Sequence, residues 1–505
     1  MARTKTKTEK AAASVPTPAR KIYDASKSSS RVIRGSYDIS RTTTENEKLW
    51  LYVDGLSAAE ANNPSIRKII RERARYEVAN NTYADGMIDT LAADTIGPEV
   101  QIQLGDKDLS NKVENDFASW VDSIKFWKKL RLMRRTKAID GEVFAMFFTN
   151  SKINNRVKLD LKLIECDQVE SWYKNTKEDE IDGIRFDAQS NPVAYRILDV
   201  HPGDHRIFMK SLSGSWIDAK YIIHYYSELR PGQIRGVSEL LPALALFGEL
   251  RSFTKAVIGA ATRAAEFAAV METDLLPDGM AAELADPITV IEAVRNAIVS
   301  LPEGWKLAQL KAEQPATTYE MFKKAIINES GRCISMPYNI AACDSSDYNY
   351  ASGRLDHQTY DRGIEVERAE IKLDVLLPVY SMWLEEYASI TGMTPADKEQ
   401  VRTPEFHYAG RDHVDPNKEA SADDLRLKNG TLTRARYWAK RGADGKRETA
   451  KWMQEIIDDE LAWNEARKKA GLLPAPFPGL ENKQSPAKPA ADDSGNGNNQ
   501  NEEEQ

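Results

Sequence analysis

Apolar residues recur at helical spacing over most of this chain and at a spacing of two over one stretch. The folded part is expected to begin near Leu49. "NPSIRKIIRERARYEVANNTYADGMIDTLAADTIG" (63–97) opens on Asn63-Pro64, a cap followed by the residue best suited to a first helical position. Ile66, Ile69, Ile70, Ala74 and Val78 then keep a stripe predicted to face a core. A second helix is predicted over about 108–139. From residue 141 the period changes to two. "GEVFAMFFTN", "VKLDLKLIECDQVESW", "GIRFDAQSNPVAYRILDV" and "YIIHYYSEL" read as strands, with "DAQSNP" a hairpin turn. Together these predict an α+β domain with an antiparallel sheet.

After "RPGQIRGVSELLPAL" a long helix is predicted to about Thr273. Its alanines, 260, 261, 264, 265, 268 and 269, favour helix and close approach of neighbouring backbones. They suit a ring of like helices or an ordinary buried helix. Pro277, Pro287, Pro302 and Pro315 interrupt 274–316, which holds one amphipathic stretch, "PITVIEAVRNAIVSL". "TTYEMFKKAIINESGRCISM" is helical again. The polar stretch "AACDSSDYNYASGRLDH" (341–357) follows, then a long helical pattern with a kink or break predicted at Pro378. From Asp415 onward the pattern is all-helical, and no fixed-period repeat is present.

Composition limits the function classes. The chain has 505 residues, 29% charged, with a formal net charge of −8. That length supports several cores. An acidic balance does not coat nucleic acid nonspecifically, yet suits a surface past which a polyanion must move. Cys166, Cys333 and Cys343 form no CxxC pair, so neither a disulfide framework nor a structural zinc site is expected, and a reducing compartment is. No apolar run is long enough to span a bilayer, and the first residues lack a secretory apolar core. Residues 1–41 hold ten basic against three acidic residues, and the last fifteen hold five acids and no base. Both ends are expected to be disordered, the first a basic arm for nucleic acid, a partner protein or solvent. "KFWKKLRLMRRTK" is densely basic, either a solvated face or a contact with phosphates or acidic neighbours.

Catalytic patterns are mostly missing. "GADGKRE" has the wrong spacing for a phosphate loop, and there is no G-x-G-x-x-G, H-E-x-x-H or G-x-S-x-G. "SIRK" and "SFTK" lack the companion elements of a serine–lysine site. "HPGDH" places His201 and His205 around a turn, with Cys166 a speculative third ligand. His224 lies in an alternating strand and reads as packing. Asp344 counted as the first position of a calcium loop puts Asn349 where glycine belongs and Leu355 where glutamate belongs. Ser352 reads first as a helix cap. No catalytic residue, metal or cofactor is therefore expected.

Four segments carry a resemblance: "RARYEVANNTYADGMIDTLAADTIG" (73–97), "IIHYYSELRPGQIRGVSELLPALALFGEL" (222–250), "MPYNIAACDSSDYNYASGRLDH" (336–357) and "HVDPNKEASADDLRLKNGTLT" (413–433). In content and order they are similar to the portal proteins of lambda-like tailed bacteriophages. The second holds Arg230, Pro231, Gly232, Gln233, Arg235 and Gly236 in the family's arrangement, and the third its Asn-Tyr-x-Ser-x-Arg element. "YAS" stands where the family often has Tyr-Ser-Ser, and its usual Trp before Val414 is missing.

The resemblance implies a ring, usually a dodecamer, at the unique capsid vertex, with a central channel for packaging and ejecting double-stranded DNA. It implies a virion protein assembled in the host cytoplasm, whose partners are the terminase large subunit, head-tail connector proteins, and major capsid and scaffolding proteins. The implied map is a basic arm (1–45), an α+β wing (46–237), a stem helix (238–273), a clip (274–316), a second stem segment (317–340), a tunnel loop (341–352), a long helix returning to the wing (353–412), a helical crown (413–472) and an acidic tail (473–505). Asp344, Ser345, Ser346, Asp347, Tyr348, Asn349, Tyr350, Ser352 and Arg354 are then the expected DNA-channel residues. The aspartates would discourage phosphate binding, and Arg354 would position the loop or touch phosphate. In "RPGQIRG" the Pro and glycines demand a turn, and Arg230, Gln233 and Arg235 are candidate subunit contacts. The rival reading is another DNA-binding structural or scaffold protein of a phage particle, which predicts a basic folded region.

Overall fold

The computed structural model describes residues 55–105, 108–169, 180–204, 213–266, 270–273, 305–308, 316–410, 416–439, 441–443 and 445–475. The expected basic arm 1–45, the stretch 287–301, nearly all of 274–316, His205 and the tail beyond 475 lie outside these residues. The chain divides into two units at residue 56, and the architecture below is that of the second, 57–505.

A short helix α1 (Ala58–Ala61) precedes α2 (Pro64–Asn80) and α3 (Thr82–Ile96). Asn63 caps α2 through its side chain, as its place before Pro64 predicts, and Asn81 ends α2 while capping α3. The face that α2 buries is not the isoleucine stripe. Ala74 and Val78 are buried as expected, but Ile66 and Ile69 are exposed and Arg67 and Arg71 are buried in their place. Arginines at 67, 71 and 75 share one helical face, and acidic residues from other elements meet them there, so ion pairing rather than apolar burial sets the rotation of α2.

Strand β1 (Val100–Gln103) leads to α4 (Asp108–Ser123) and α5 (Phe126–Asp140). These replace the single helix expected over 108–139. Lys125, in the left-handed conformation, breaks it and turns the chain so that Trp120 and Phe126 enter one core. Then come β2 (Glu142–Thr149), β3 (Leu159–Ile164), β4 (Glu180–Ile181), β5 (Ile184–Phe186), β6 (Pro192–Leu198), β7 (Gly214–Asp218) and β8 (Ile222–Tyr226). They form two antiparallel sheets, β3-β2-β8 and β4-β5-β6-β7. The period-two reading of 141–226 is thus correct, although the second strand stops at Ile164 and turns through Cys166–Gln168. Asp187 builds the expected turn by accepting from the backbone of Gln189 and Asn191. Strand β2 separates two cores by alternation. Val143, Ala145 and Phe147 face Phe117, Trp120, Tyr380 and Trp383, whereas Phe144 faces Ile164, Tyr195 and Ile197.

After the sheets comes α6 (Leu244–Glu266), which ends short of the expected Thr273. Strand β9 (Val270–Thr273) lies within that stretch and pairs antiparallel with β10 (Trp305–Ala308). Helices α7 (Ala316–Gly331) and α8 (Tyr338–Ala341) precede the polar stretch, and α9 (Tyr350–Ile371) follows it. A third core, with Met87, Leu91, Phe247, Ile327 and Tyr360, joins α3, α6, α7 and α9. The break predicted at Pro378 is a π-turn over Lys372–Leu376 that passes directly into α10 (Leu377–Thr391). Proline lacks the N–H for an ordinary helical bond, and the wider turn accommodates its ring. After α11 (Pro395–Gln400), β11 (Glu405–Tyr408) returns to pair with β1. Helices α12 (Pro416–Lys428), α13 (Arg434–Ala439) and α14 (Gly445–Lys469) are the last elements among the described residues. Among the described residues no helix is long and apolar enough to cross a membrane.

Candidate functional site

The stretch between α8 and α9 is polar because its backbone is held by its own side chains rather than by a core. Cys343 is exposed in the left-handed region (φ 52°) and turns the chain out of α8. The Asp344 carboxylate accepts from the Ser346 amide at 3.0 Å and its hydroxyl at 2.7 Å, which holds the carboxyl below its ordinary range. Its other oxygen accepts from Tyr338 at 3.4 Å. The Tyr348 amide donates to the Ser345 carbonyl at 3.1 Å. Asp347 forms an ion pair with Lys324 of α7, whose pKa is raised by that bond. One of the two aspartates thus faces a cation from its own subunit. Tyr348 is half-buried, and burial and Asp356 push its hydroxyl up.

The helix cap falls to Asn349, not Ser352. The Asn349 side chain accepts from the Ser352 amide at 2.9 Å, and the Ser352 hydroxyl accepts from the Asn349 amide at 3.2 Å. Together they form a reciprocal capping box. Ser345, Ser346 and Arg354 are exposed, and Tyr350 opens the helix. Farther along α9, Tyr360 donates to Asp94 at 3.0 Å, and Arg368 to the carbonyls of Thr95 and Asp94 at 2.8 and 3.0 Å. Glu367 accepts from Lys137 at 2.6 Å and from Tyr225. Burial opposes the charge on Glu367, but Arg134 and Lys137 outweigh it and lower its pKa. The helix that leaves the loop is thus tied to α3, α5 and β8.

The second candidate stretch, "RPGQIRG", is a turn as its Pro and glycines predict. The Gln233 amide donates to the Arg230 carbonyl at 3.1 Å across Gly232, whose φ is +81°. Arg230 is exposed. Gln233 is buried: its side chain accepts from the Leu229 amide at 3.0 Å and donates to the Arg235 carbonyl at 2.8 Å. Arg235, a candidate subunit contact, is 1% exposed within the subunit. Its Nε and Nη2 donate to both oxygens of Glu142 at 2.7–3.0 Å, and Nη1 to the Asp182 carbonyl at 2.8 Å. Glu142 also accepts from the Gly236 amide at 3.0 Å, and its Oε2 lies 3.0 Å from His224 Nε2. Burial opposes ionisation of Glu142, yet Arg235 and His224 hold its carboxyl well below the usual range. Burial pushes His224 down against the pull of Glu142, and its ring is stacked 4.2 Å from both Phe144 and Tyr226.

The basic segment after Lys125 meets acidic neighbours of its own subunit. Lys129 pairs with Asp160, Arg134 with Glu239, Arg135 with Asp85 and Asp89, and Lys137 with Glu367. Among the described residues, Glu165, Asp167 and His201 come close enough to suggest a metal site. Arg75 already supplies a cation there, 2.8 Å from Asp167 and 3.5 Å from Glu165. Cys166 is buried with its thiol pushed well up by burial, and bonds toward Asp140 instead. What sequence reasoning missed is this buried ionic layer. Its signal was the arginine spacing 67, 71, 75 beside an otherwise unexplained acidic residue at the start of a strand, Glu142.

Solved structures to which the chain is similar include the virion of a native gene transfer agent particle (13% identity, TM-score 0.42, covering 74% of this chain and 92% of that one), the neck of the native particle computed with C12 symmetry (12%, 0.38, 74% and 91%) and the neck of the empty particle computed with C6 symmetry (13%, 0.40, 72% and 91%). No curated protein matches it. The family model described as "Phage portal protein, lambda family" matches residues 52–368, which is well over half of the sequence and runs from before α1 into α9, across the polar loop and the capping box. The chain belongs to the lambda family of phage portal proteins.

Proposed function

We propose that the protein assembles into a closed ring, a dodecamer, at the capsid's unique vertex. Its channel passes double-stranded DNA during packaging and ejection. The observation that carries this reading is family membership over the segment that ends in α9, just beyond the loop 341–352. In this reading residues 46–237 are the wing, 238–273 and 317–340 the stem, 274–316 the clip that docks the terminase and then the head-tail connector, and 413–472 the crown. Its other partners are the major capsid and scaffolding proteins, and it reaches the virion after assembly in the host cytoplasm. Arg230, exposed on its turn, is a contact between subunits.

The loop from Asp344 to Arg354 lines the narrow part of the channel. Duplex DNA carries one charge per about 1.7 Å, so a basic lining would hold it by releasing counterions. Here Asp344 keeps its negative charge, Asp347 shares its charge with Lys324, and Ser345, Ser346 and Asn349 offer neutral contacts. Negative-stain microscopy of the purified protein tests the ring: closed rings with a central hole support it, monodisperse monomers oppose it. Deleting 345–350 tests the loop. Rings should persist with altered DNA retention, and a deletion that only unfolds the subunit removes the reading.

A further inference from the structure

The start of helix α14 packs on the rest of the described subunit, and the turns beyond it expose two further faces. Its start packs on α13: Gly445 lies against the Ala435 backbone, and Arg434 stacks 3.8 Å over Trp452. Arg447, Glu448 and Lys451 close a cleft of about 360 Å³ against α4 and β1. Beyond Trp452 the helix continues for nearly five turns. Met453, Ile457 and Leu461 are exposed there (54%, 51% and 60%). They stand at i, i+4 and i+8 and form one apolar ridge. Ala462, Ala466 and Ala470, also exposed, repeat the same spacing nine residues later. At about 100° per residue, the alanine row falls on the side of the helix opposite the ridge. One face thus offers large side chains and the other a shallow row that fits them.

The charges select how two copies can meet. Asp458 and Glu460 border the ridge, and Lys469 and Arg467 border the alanine row, Arg467 half-buried with its Nε donating to the Leu473 carbonyl at 2.7 Å and its guanidinium over Trp463. Sliding one copy by nine residues, about 14 Å, sets the ridge against the alanines. It also sets Asp458 near Lys469 and Glu460 near Arg467 of the next copy. An antiparallel pair centred on Ile457 would instead face acid with acid. A contact between unlike faces is heterologous, and repeated by rotation it closes a ring. Copies meet at this offset when α14 is inclined to the ring axis.

We propose that the ridge of α14 in one subunit packs on the alanine row of α14 in the next, so that this helix is a ring-forming contact. The proposal rests on the ring reading above. Full-length wild type, an Ile457→Glu/Leu461→Glu variant, a D458K/E460K variant, an R467E/K469E variant and the combined fourfold reversal are compared by mass photometry across concentration, with circular dichroism as the check on folding. The apolar variant and each single reversal should raise the concentration for half-assembly more than about tenfold, with unchanged helicity, and the fourfold reversal should recover most of the loss. Wild-type rings with variants that assemble equally well overturn this contact and leave the ring standing. So do single reversals whose losses add rather than cancel. A wild type that never forms rings removes both.

Discussion

Arg235 grips the Glu142 carboxylate side-on, entirely within one subunit, at 2.7–3.0 Å. The pair ties the turn before α6 to the first residue of the central strand. Because both groups are fully buried, removing Arg235 takes the nearest cation from a carboxylate that keeps only the Gly236 amide, His224 and the more distant Arg71 among its described partners. Arg235→Ala should cost about 3–5 kcal/mol in chemical denaturation. Arg235→Lys should recover little of it, since an ammonium cannot reproduce the planar two-nitrogen grip. A loss below about 1 kcal/mol for the alanine variant would contradict this arrangement.

Two glycines beside that pair should behave differently from a third. A Cβ on Gly236 would sit 2.1 Å from the Gly141 carbonyl oxygen, and one on Gly141 2.3 Å from the Val237 backbone. Gly232 has an open surrounding and only a positive φ. Gly232→Ala should therefore cost about 1–2 kcal/mol, whereas Gly141→Ala and Gly236→Ala should largely prevent folding. Soluble yield and thermal melting distinguish the two outcomes.

Stability should fall on the acid side in two windows. His224 is buried and its folded pKa lies below the ordinary 6.5, so the unfolded chain binds a proton first. Its contribution is full above that value and is lost as the pH drops through it, by up to about 1.4 kcal/mol per pH unit. Glu142 has a depressed folded pKa, so its contribution is full above the ordinary carboxylate range and is lost only at still lower pH. His224→Gln should flatten the near-neutral slope, and Glu142→Gln the acid one, in urea titrations run from pH 8 to 3.

The capping box should anchor the end of the loop. Asn349→Ala should cost about 1 kcal/mol and speed amide exchange in the first turn of α9, with Ser352→Ala weaker. Unchanged exchange at 350–354 in both variants would mean that the box is not what starts the helix.

Charge in the loop should set how firmly DNA is held. Asp344→Lys with Asp347→Lys should leave rings intact and steepen the salt dependence of DNA retention, because each added phosphate contact releases counterions. A filter-retention titration from low to high salt reads this directly. An unaltered slope would place the loop away from DNA.

The sequence by itself determined what depends on neighbours along the chain. Asn63 before Pro64, the alternation of 141–226, the turn at Pro231-Gly232 and the break near Pro378 all follow from backbone sterics and local hydrogen bonds. The motifs around 230 and 344–354 were enough to identify the family. Tertiary structure alone decided where charges go. Helix α2 turns Ile66 and Ile69 outward and Arg67 and Arg71 inward because Asp182, Glu142 and Asp167 wait on distant elements. Arg235, polar and placed in a turn, reads as a surface residue until the strand carrying Glu142 is packed beneath it. Lys125 splits one expected helix into two because Trp120 and Phe126 must enter the same core. Periodicity measures which residues avoid water, and it is blind to a cation that leaves water because a carboxylate from far along the chain replaces it.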